Sequence, residues 1–320
     1  MRVLITGGAG FIGSHLTDRL ISDGHDVTVL DNLETGRIEN LADASTSGRL
    51  TFIEGSVLDA EVVEKQVGEV DFIYHLAAAV GVFNILERPL ASLMTNLRGT
   101  EIVLDAALKY SRPILVASSS EVYGKNTSDS LHEDDNRILG SPLMIRWSYS
   151  QAKAIDETLA YAYWEEKKLP TRIVRFFNTV GPRQLGAYGM VVPRFVAAAL
   201  DNEEITIYGD GNQTRCFGHV ADIIDALISV ANSEKTIGTV VNIGNDEEIS
   251  IIDLAKKIID MTESKSKIVY LSYADAYKSG FEDMERRVPN IQRIKKLTGW
   301  APTRNLETII RDVADHLRSN

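Results

Sequence analysis

The apolar strand Val3-Leu4-Ile5 runs directly into Thr6-Gly7-Gly8-Ala9-Gly10-Phe11-Ile12-Gly13, and a helical pattern starts at Phe11. No other feature limits the possible folds as much. A loop of this spacing must turn sharply and let backbone N–H groups approach a pyrophosphate. It must also press the following helix onto the sheet. Those requirements are met together in a strand–loop–helix unit that opens a parallel sheet. Gly7, Gly10, Phe11, Ile12 and Gly13 are therefore expected against a dinucleotide.

The rest of the first half agrees. Residues 2–6, 26–30, 50–53, 70–75, 113–118 and 171–176 read as strands, and 11–22, 60–67, 89–110 and 147–167 as helices. Near-continuous apolar strands alternating with helices imply a parallel sheet covered on both faces. The expected fold class is α/β, a Rossmann-type doubly wound parallel sheet with a smaller C-terminal α/β substrate lobe. Past about Asn178 the strands shorten (205–208, 240–243, 268–270) between helices at 192–200, 220–231, 251–261 and 305–317. We divide the chain at residues 1–178 and 179–320. The helices at 192–200 and 221–231 are candidates to interleave with the first lobe. Residues 125–146 are polar and turn-rich and read as a mobile loop near the site.

Asp31 closes the second strand, eighteen residues after Gly13. A carboxylate there accepts hydrogen bonds from ribose hydroxyls and repels a 2′-phosphate, which favours NAD over NADP. Asn32 begins the turn beside it. Val57 after the third strand, and Leu76-Ala77-Ala78 after the fourth, are placed to flank the cofactor.

Composition narrows the ligands further. The net charge of −11 argues against nucleic acid as the main partner. No apolar run approaches the roughly 20 residues of a membrane span. The single cysteine, Cys216, excludes a disulfide framework and fits a reducing, cytoplasmic setting. The six histidines lack ligand spacing, so no metal is expected.

Tyr149 and Lys153 stand four residues apart and share a helix face. A free phenol is a poor base at neutral pH, but a neighbouring ammonium stabilises its anion. Lys153 is thus expected to lower the Tyr149 pKa and to hold the cofactor's ribose. Ser119, in the serine run after the fifth strand, can share a substrate proton with Tyr149.

These motifs, with Glu121-Val122-Tyr123-Gly124, Arg175-Phe176-Phe177-Asn178, Gly181-Pro182-Arg183, Tyr208-Gly209-Asp210-Gly211, Gln213-Thr214-Arg215 and Gly299-Trp300, resemble the extended short-chain dehydrogenase/reductases acting on nucleotide sugars. The resemblance spans essentially the whole chain. It implies hydride transfer from a sugar C4 to NAD and a homodimer paired through the helices at 89–110 and 147–167. It also implies a nucleotide-sugar substrate, UDP-linked, held by Asn178, Arg194, Tyr208, Gln213 and Arg215.

Within that family, Ser120-Glu121, Arg146-Trp147-Ser148-Tyr149 and the segment from Gly280 to Pro289 are most similar to UDP-glucuronate decarboxylases. An Asp-Glu pair, as in sugar 4,6-dehydratases, is absent, since Ser120 stands first. Val80 and Ser120 occupy places where apiose synthases carry cysteines. Gly55-Ser56 replaces a Gly-Asp pair used by many relatives at adenine. The resemblance implies that Arg287, Ser120 and Glu121 hold the substrate carboxylate and return a proton to C5. The alternatives are a UDP-sugar 4-epimerase, a net dehydrogenase that releases NADH, and a non-catalytic NAD sensor.

Overall fold

The computed structural model describes residues 1–79, 88–186, 190–272 and 286–319. Its centre is a parallel sheet of β1 (Arg2–Thr6), β2 (Asp26–Asp31), β3 (Leu50–Glu54), β4 (Phe72–His75), β5 (Ile114–Ser119), β6 (Thr171–Phe176) and β7 (Val240–Ile243). The spatial order is β3-β2-β1-β4-β5-β6-β7, so the sequence reverses direction between β1 and β4. A crevice opens at that reversal, beyond the carboxyl ends of the strands.

Four long helices follow from the patterns noted above: α1 (Phe11–Ser22), α2 (Ala60–Gly68), α3 (Pro89–Lys109) and α4 (Ser148–Lys167). On one sheet face α1 and the helix Val220–Asn232 bury Leu16, Leu20, Ile223 and Leu227 against Val3, Ile5 and Val29. On the other, α2, α3 and α4 bury Val63, Leu104 and Ala160 against Leu4, Ile73 and Ile114. Both faces of β1 are therefore dry, which explains its unbroken apolar run.

The smaller lobe has its own core. Helices Val191–Leu200, Ile251–Met261 and Leu306–Ser319 enclose Phe195, Ile207, Leu254, Ile258 and Ile310. Strand Ile205–Tyr208 pairs in parallel with Ile268–Leu271, and Thr214–Cys216 pairs antiparallel with Glu248–Ser250. The chain does not pass once between lobes. β7 zips onto β6 with Val240 opposite Ile173, and Ile291, Ile294 and Trp300 join the core of the first lobe.

Residues 125–146, expected as a mobile loop, are tied down. The Leu131 N–H donates to Val288 O (2.8 Å), and the Asn242 N–H donates to Glu133 Oε1 (2.9 Å). The Arg137 guanidinium donates to Val122 O at 3.0 Å. The helix Gln292–Thr298 has no counterpart in the sequence reading; seven residues are too few to show a helical period. No helix among the described residues is long and apolar enough to cross a membrane.

Candidate active site

One cleft of about 590 Å³ runs along the carboxyl edge of the sheet and into the small lobe. Every candidate site residue from the sequence lines it, from Gly7 at one end to Arg215 at the other. Val80, compared with the apiose synthases, and residues 280–285, compared with the decarboxylases, lie outside the described residues.

The nucleotide end is built on close approach. Gly7 adopts φ +74°, and a Cβ there would lie 2.8 Å from Ala77 N. At Gly13 a Cβ would lie 2.2 Å from Gly7 O, so α1 can only pack this tightly with glycine. Gly10 caps α1 without any side-chain hydrogen bond, and no acidic residue sits in the first turn. The first N–H groups of the helix are thereby left for a ligand anion. The Asp31 carboxylate is fixed by the N–H groups of Ala9 (3.0 Å) and Leu33 (2.9 Å) and lines the cleft with Asn32. Burial raises its pKa, and those two N–H donors oppose the rise. Val57, Leu76, Ala77 and Ala78 complete a narrow, largely apolar wall. A glycine cradle, an uncapped helix start and a ribose-height carboxylate fit a dinucleotide such as NAD.

At the centre, α4 starts just after Trp147, which is completely buried and anchors the first turn. Tyr149 faces Ser119, whose hydroxyl is hydrogen-bonded with the phenol and also accepts from Glu121 N (3.2 Å). Lys153 is buried; its Nζ donates to Ala117 O at 3.0 Å and to Asp156 Oδ2 at 3.1 Å. This arrangement corrects one expectation. The Tyr149 pKa is not lowered but raised, first by burial, then by the carboxylates of Glu121 and Asp156, with the Ser119 hydrogen bond opposing. Lys153 brings its charge with a counterion attached.

Beside Tyr149 lies an ionic cluster. Glu121 accepts from Arg146 Nη1 at 2.6 Å and from Arg287 Nη2 at 2.8 Å, and Arg287 Nη1 reaches Ser120 Oγ at 3.4 Å. Burial alone would raise the Glu121 pKa; Arg287 and then Arg146 outweigh it and hold the group down at about 2. Glu121 is therefore an anion at neutral pH and unsuited to donating a proton to C5. The hydroxyl of Ser120 is left as the candidate donor from that pair. The two adjacent arginines diverge: Arg286 points to Glu248 and Asp129 on the surface, whereas Arg287 is 8% exposed. Arg287 Nε is buried inside the cleft wall without a hydrogen-bond partner.

At the far end Arg194 stacks over the Tyr208 ring at 4.4 Å and donates to Thr206 O. Gln213 donates to Tyr208 O (2.9 Å), Arg215 to Thr214 O (2.8 Å) and Asn178 to Cys216 O (3.0 Å). These contacts present an aromatic face and guanidinium groups at one spot, suited to a base and a diphosphate. Cys216 is a buried, packed thiol, and His219 caps the helix Val220–Asn232 while facing Asp312.

Sequence reasoning passed over two residues of the centre. Arg146 carried the resemblance but was given no site role, because nothing in the sequence brings it to Glu121. Asp156 was available as an acid three residues after Lys153 on the same helix.

Comparison with known proteins agrees with this geometry. The sequence profile of the family described as GDP-mannose 4,6 dehydratase matches residues 4–313. The chain is 41% identical over 318 residues to UDP-N-acetyl-alpha-D-glucosaminuronate decarboxylase of Bacillus cytotoxicus, covering 99% of this chain and 98% of that one. It is 39% identical to UDP-glucuronic acid decarboxylase 1 of Xenopus tropicalis, covering 99% of this chain and 72% of the relative. Among solved structures, UDP-glucuronic acid 4-epimerase from Bacillus cereus, in complex with UDP-glucuronic acid and NAD, superposes with a TM-score of 0.89. The identity is 27%, and the match covers 100% of this chain and 99% of the epimerase.

Proposed function

The chain belongs to the extended short-chain dehydrogenase/reductase family that the GDP-mannose 4,6 dehydratase profile describes, and from that premise we propose that it is an NAD-dependent nucleotide-sugar decarboxylase of the UDP-glucuronate type. The observation that carries this reading is the Arg146–Glu121–Arg287 cluster next to Tyr149. Two guanidinium groups on one carboxylate leave a surplus positive charge at the sugar's position. The unpartnered Arg287 Nε adds a donor there. A neutral hexose has no use for that surplus, whereas a uronate carboxylate does.

The glycine loop at residues 7–13 and Asp31 would hold NAD, which would supply a hydride acceptor for sugar C4 and the matching hydride donor at the end of the cycle. Tyr149, in its phenolate form, accepts the C4 hydroxyl proton through its contact with Ser119, and Lys153 orients the cofactor's ribose. The resulting ketone makes the substrate a β-keto acid. Its C5–C6 bond then breaks, the electron pair passes into a C4–C5 enolate, and CO₂ departs. Arg287 holds the carboxylate before it leaves, and Ser120 relays a proton drawn from solvent water to C5. Tyr149 returns its proton to the C4 oxygen, so no net redox change results.

Asn178, Arg194, Tyr208, Gln213 and Arg215 grip the nucleotide diphosphate, with residues 1–178 supplying most of the NAD site and 179–320 most of the sugar-nucleotide site across a soft boundary. The chain acts in the cytoplasm as a homodimer. Exposed Leu90, Met94, Ile155 and Tyr161 on the packed helices α3 and α4 support the dimer face, and light scattering would test it.

Incubation with UDP-glucuronate and UDP-N-acetylglucosaminuronate, with products read by mass spectrometry and NMR, tests the main reading. Release of CO₂ and a pentose nucleotide is expected. The likeness to a UDP-glucuronic acid 4-epimerase supports a second reading, 4-epimerisation, because both reactions share the C4 oxidation. Isomerisation at constant mass would decide for it.

A further inference from the structure

Asp156 follows Lys153 by three residues and Tyr149 by seven on α4, so the three side chains share one face of that helix. Asp156 is fully buried, Lys153 is 2% exposed, and their charged ends are 3.1 Å apart. An ammonium has three N–H donors. One is held by Asp156 and one by Ala117 O, which leaves a single donor for the cleft that Lys153 lines. A buried acid costs desolvation even when paired, so a structural role alone is a poor reason for it.

We propose that Asp156 is a positioning residue that aims the Lys153 ammonium into the cleft and tempers the charge it presents to Tyr149. This rests on the reading of Tyr149 and Lys153 as the proton relay. The groups facing Tyr149 are Ser119 at the end of β5 and Glu121 just after it, with Lys153 and Asp156 on its own helix. Glu121 is itself answered by Arg146 and Arg287. Asp156 is faced by Lys153 and by the Thr100 hydroxyl of α3, with Glu157 adding a like charge. Behind Thr100 sits His75, kept neutral because burial, then Lys153, pushes its pKa down to about 3. Among the described residues, Asp156 is thus the one acid that directly pairs the ammonium.

The test compares NAD-loaded wild type with the isosteric Asp156→Asn. Two readouts are used: the acid limb of kcat against pH, and tyrosinate absorbance taken as the difference from each enzyme's Tyr149→Phe counterpart. Both midpoints are expected to fall by about one pH unit, a tenfold change in the ionisation equilibrium. Asp156→Glu, which keeps the charge, is expected to restore the midpoint at a lower kcat. Folded Asp156→Asn with unmoved midpoints overturns the proposal. Should that variant not fold, the neutral pair Lys153→Met with Asp156→Asn replaces it. Its phenol is expected to titrate near the wild-type midpoint, whereas coincidence with Lys153→Met alone overturns the proposal. Full turnover in Tyr149→Phe would instead sink the relay reading on which it rests.

Discussion

Arg287 meets Glu121 across 166 residues of sequence, Nη2 to Oε1 at 2.8 Å, and its Nη1 reaches the neighbouring Ser120. One guanidinium therefore joins the turn after β5 to the last third of the chain. Truncating it in Arg287→Ala leaves Glu121 with Arg146 alone and removes the proposed carboxylate grip. For a uronate substrate, kcat/KM is expected to fall at least about 100-fold, on the scale of losing one partner of a buried charge pair. Steady-state CO₂ release measures it. An unchanged rate would remove Arg287 from the site.

Acid stability should register the same cluster. Glu121 has a folded pKa of about 2 against an ordinary value of 4.5. A depressed carboxylate stabilises the fold above its unfolded pKa, and the benefit disappears as pH falls through the folded value. Its contribution is about 3 kcal/mol at neutral pH on that basis. Denaturant melts of wild type and Glu121→Gln should differ most above pH 4.5 and converge by pH 2. A constant gap across that window would contradict the assignment.

Tyr149→Phe removes only the phenol oxygen from a ring already packed at the start of α4. Turnover is expected to drop by about 1,000-fold or more, within the range of general acid–base catalysis. NAD affinity by calorimetry should stay within a few-fold. Loss of NAD binding instead would mean that the residue holds cofactor and does not move protons.

Gly13→Ala probes the cradle. Its Cβ would collide with Gly7 O and Gly8 Cα, both backbone atoms that cannot swing aside. A stability loss of about 1–3 kcal/mol, with weakened NAD binding, is expected from overpacking of this kind. Thermal melting with and without NAD reports both. A variant that binds NAD normally would show that the loop is looser than its geometry.

Asp31→Ala frees the N–H groups of Ala9 and Leu33 and removes the charge at the ribose position. NAD is expected to bind about tenfold more weakly, the cost of a charged hydrogen bond. NADP should gain relative to NAD. Preserved discrimination in calorimetric titrations would move the ribose contact elsewhere.

Much of this fold is legible in the sequence. Local signals were strongest: the Phe11–Ser22 helix and the Arg2–Thr6 strand follow from period and glycine spacing alone. The cofactor end of the cleft follows likewise, because strand ends and loop order specify where an open α/β sheet binds, whereas Asn178, Arg194, Tyr208, Gln213, Arg215 and Arg287 were implied only by the family resemblance. Electrostatics was not legible. Lys153 reads as a free cation until Asp156 is seen against it, and Glu121 reads as a proton donor until both arginines close on it. Burial and through-space pairing decide those states, and neither leaves a periodic trace in the chain. The three-residue strands Thr214–Cys216 and Glu248–Ser250 and the Gln292–Thr298 helix escaped for a simpler reason: they hold too few residues to repeat.

The returning strand Val240–Ile243 has a practical corollary for anyone recombining such enzymes. A chimera spliced at residue 178, where the motifs suggest a natural seam, would transplant a sheet whose β6 edge is still open. The donor's sugar half would arrive carrying the missing strand and the helix Val220–Asn232 that covers it, cut for another protein's surface. Grafts confined to the small lobe's own core, around Val191–Leu200 and Ile251–Met261, respect the joints the chain itself uses.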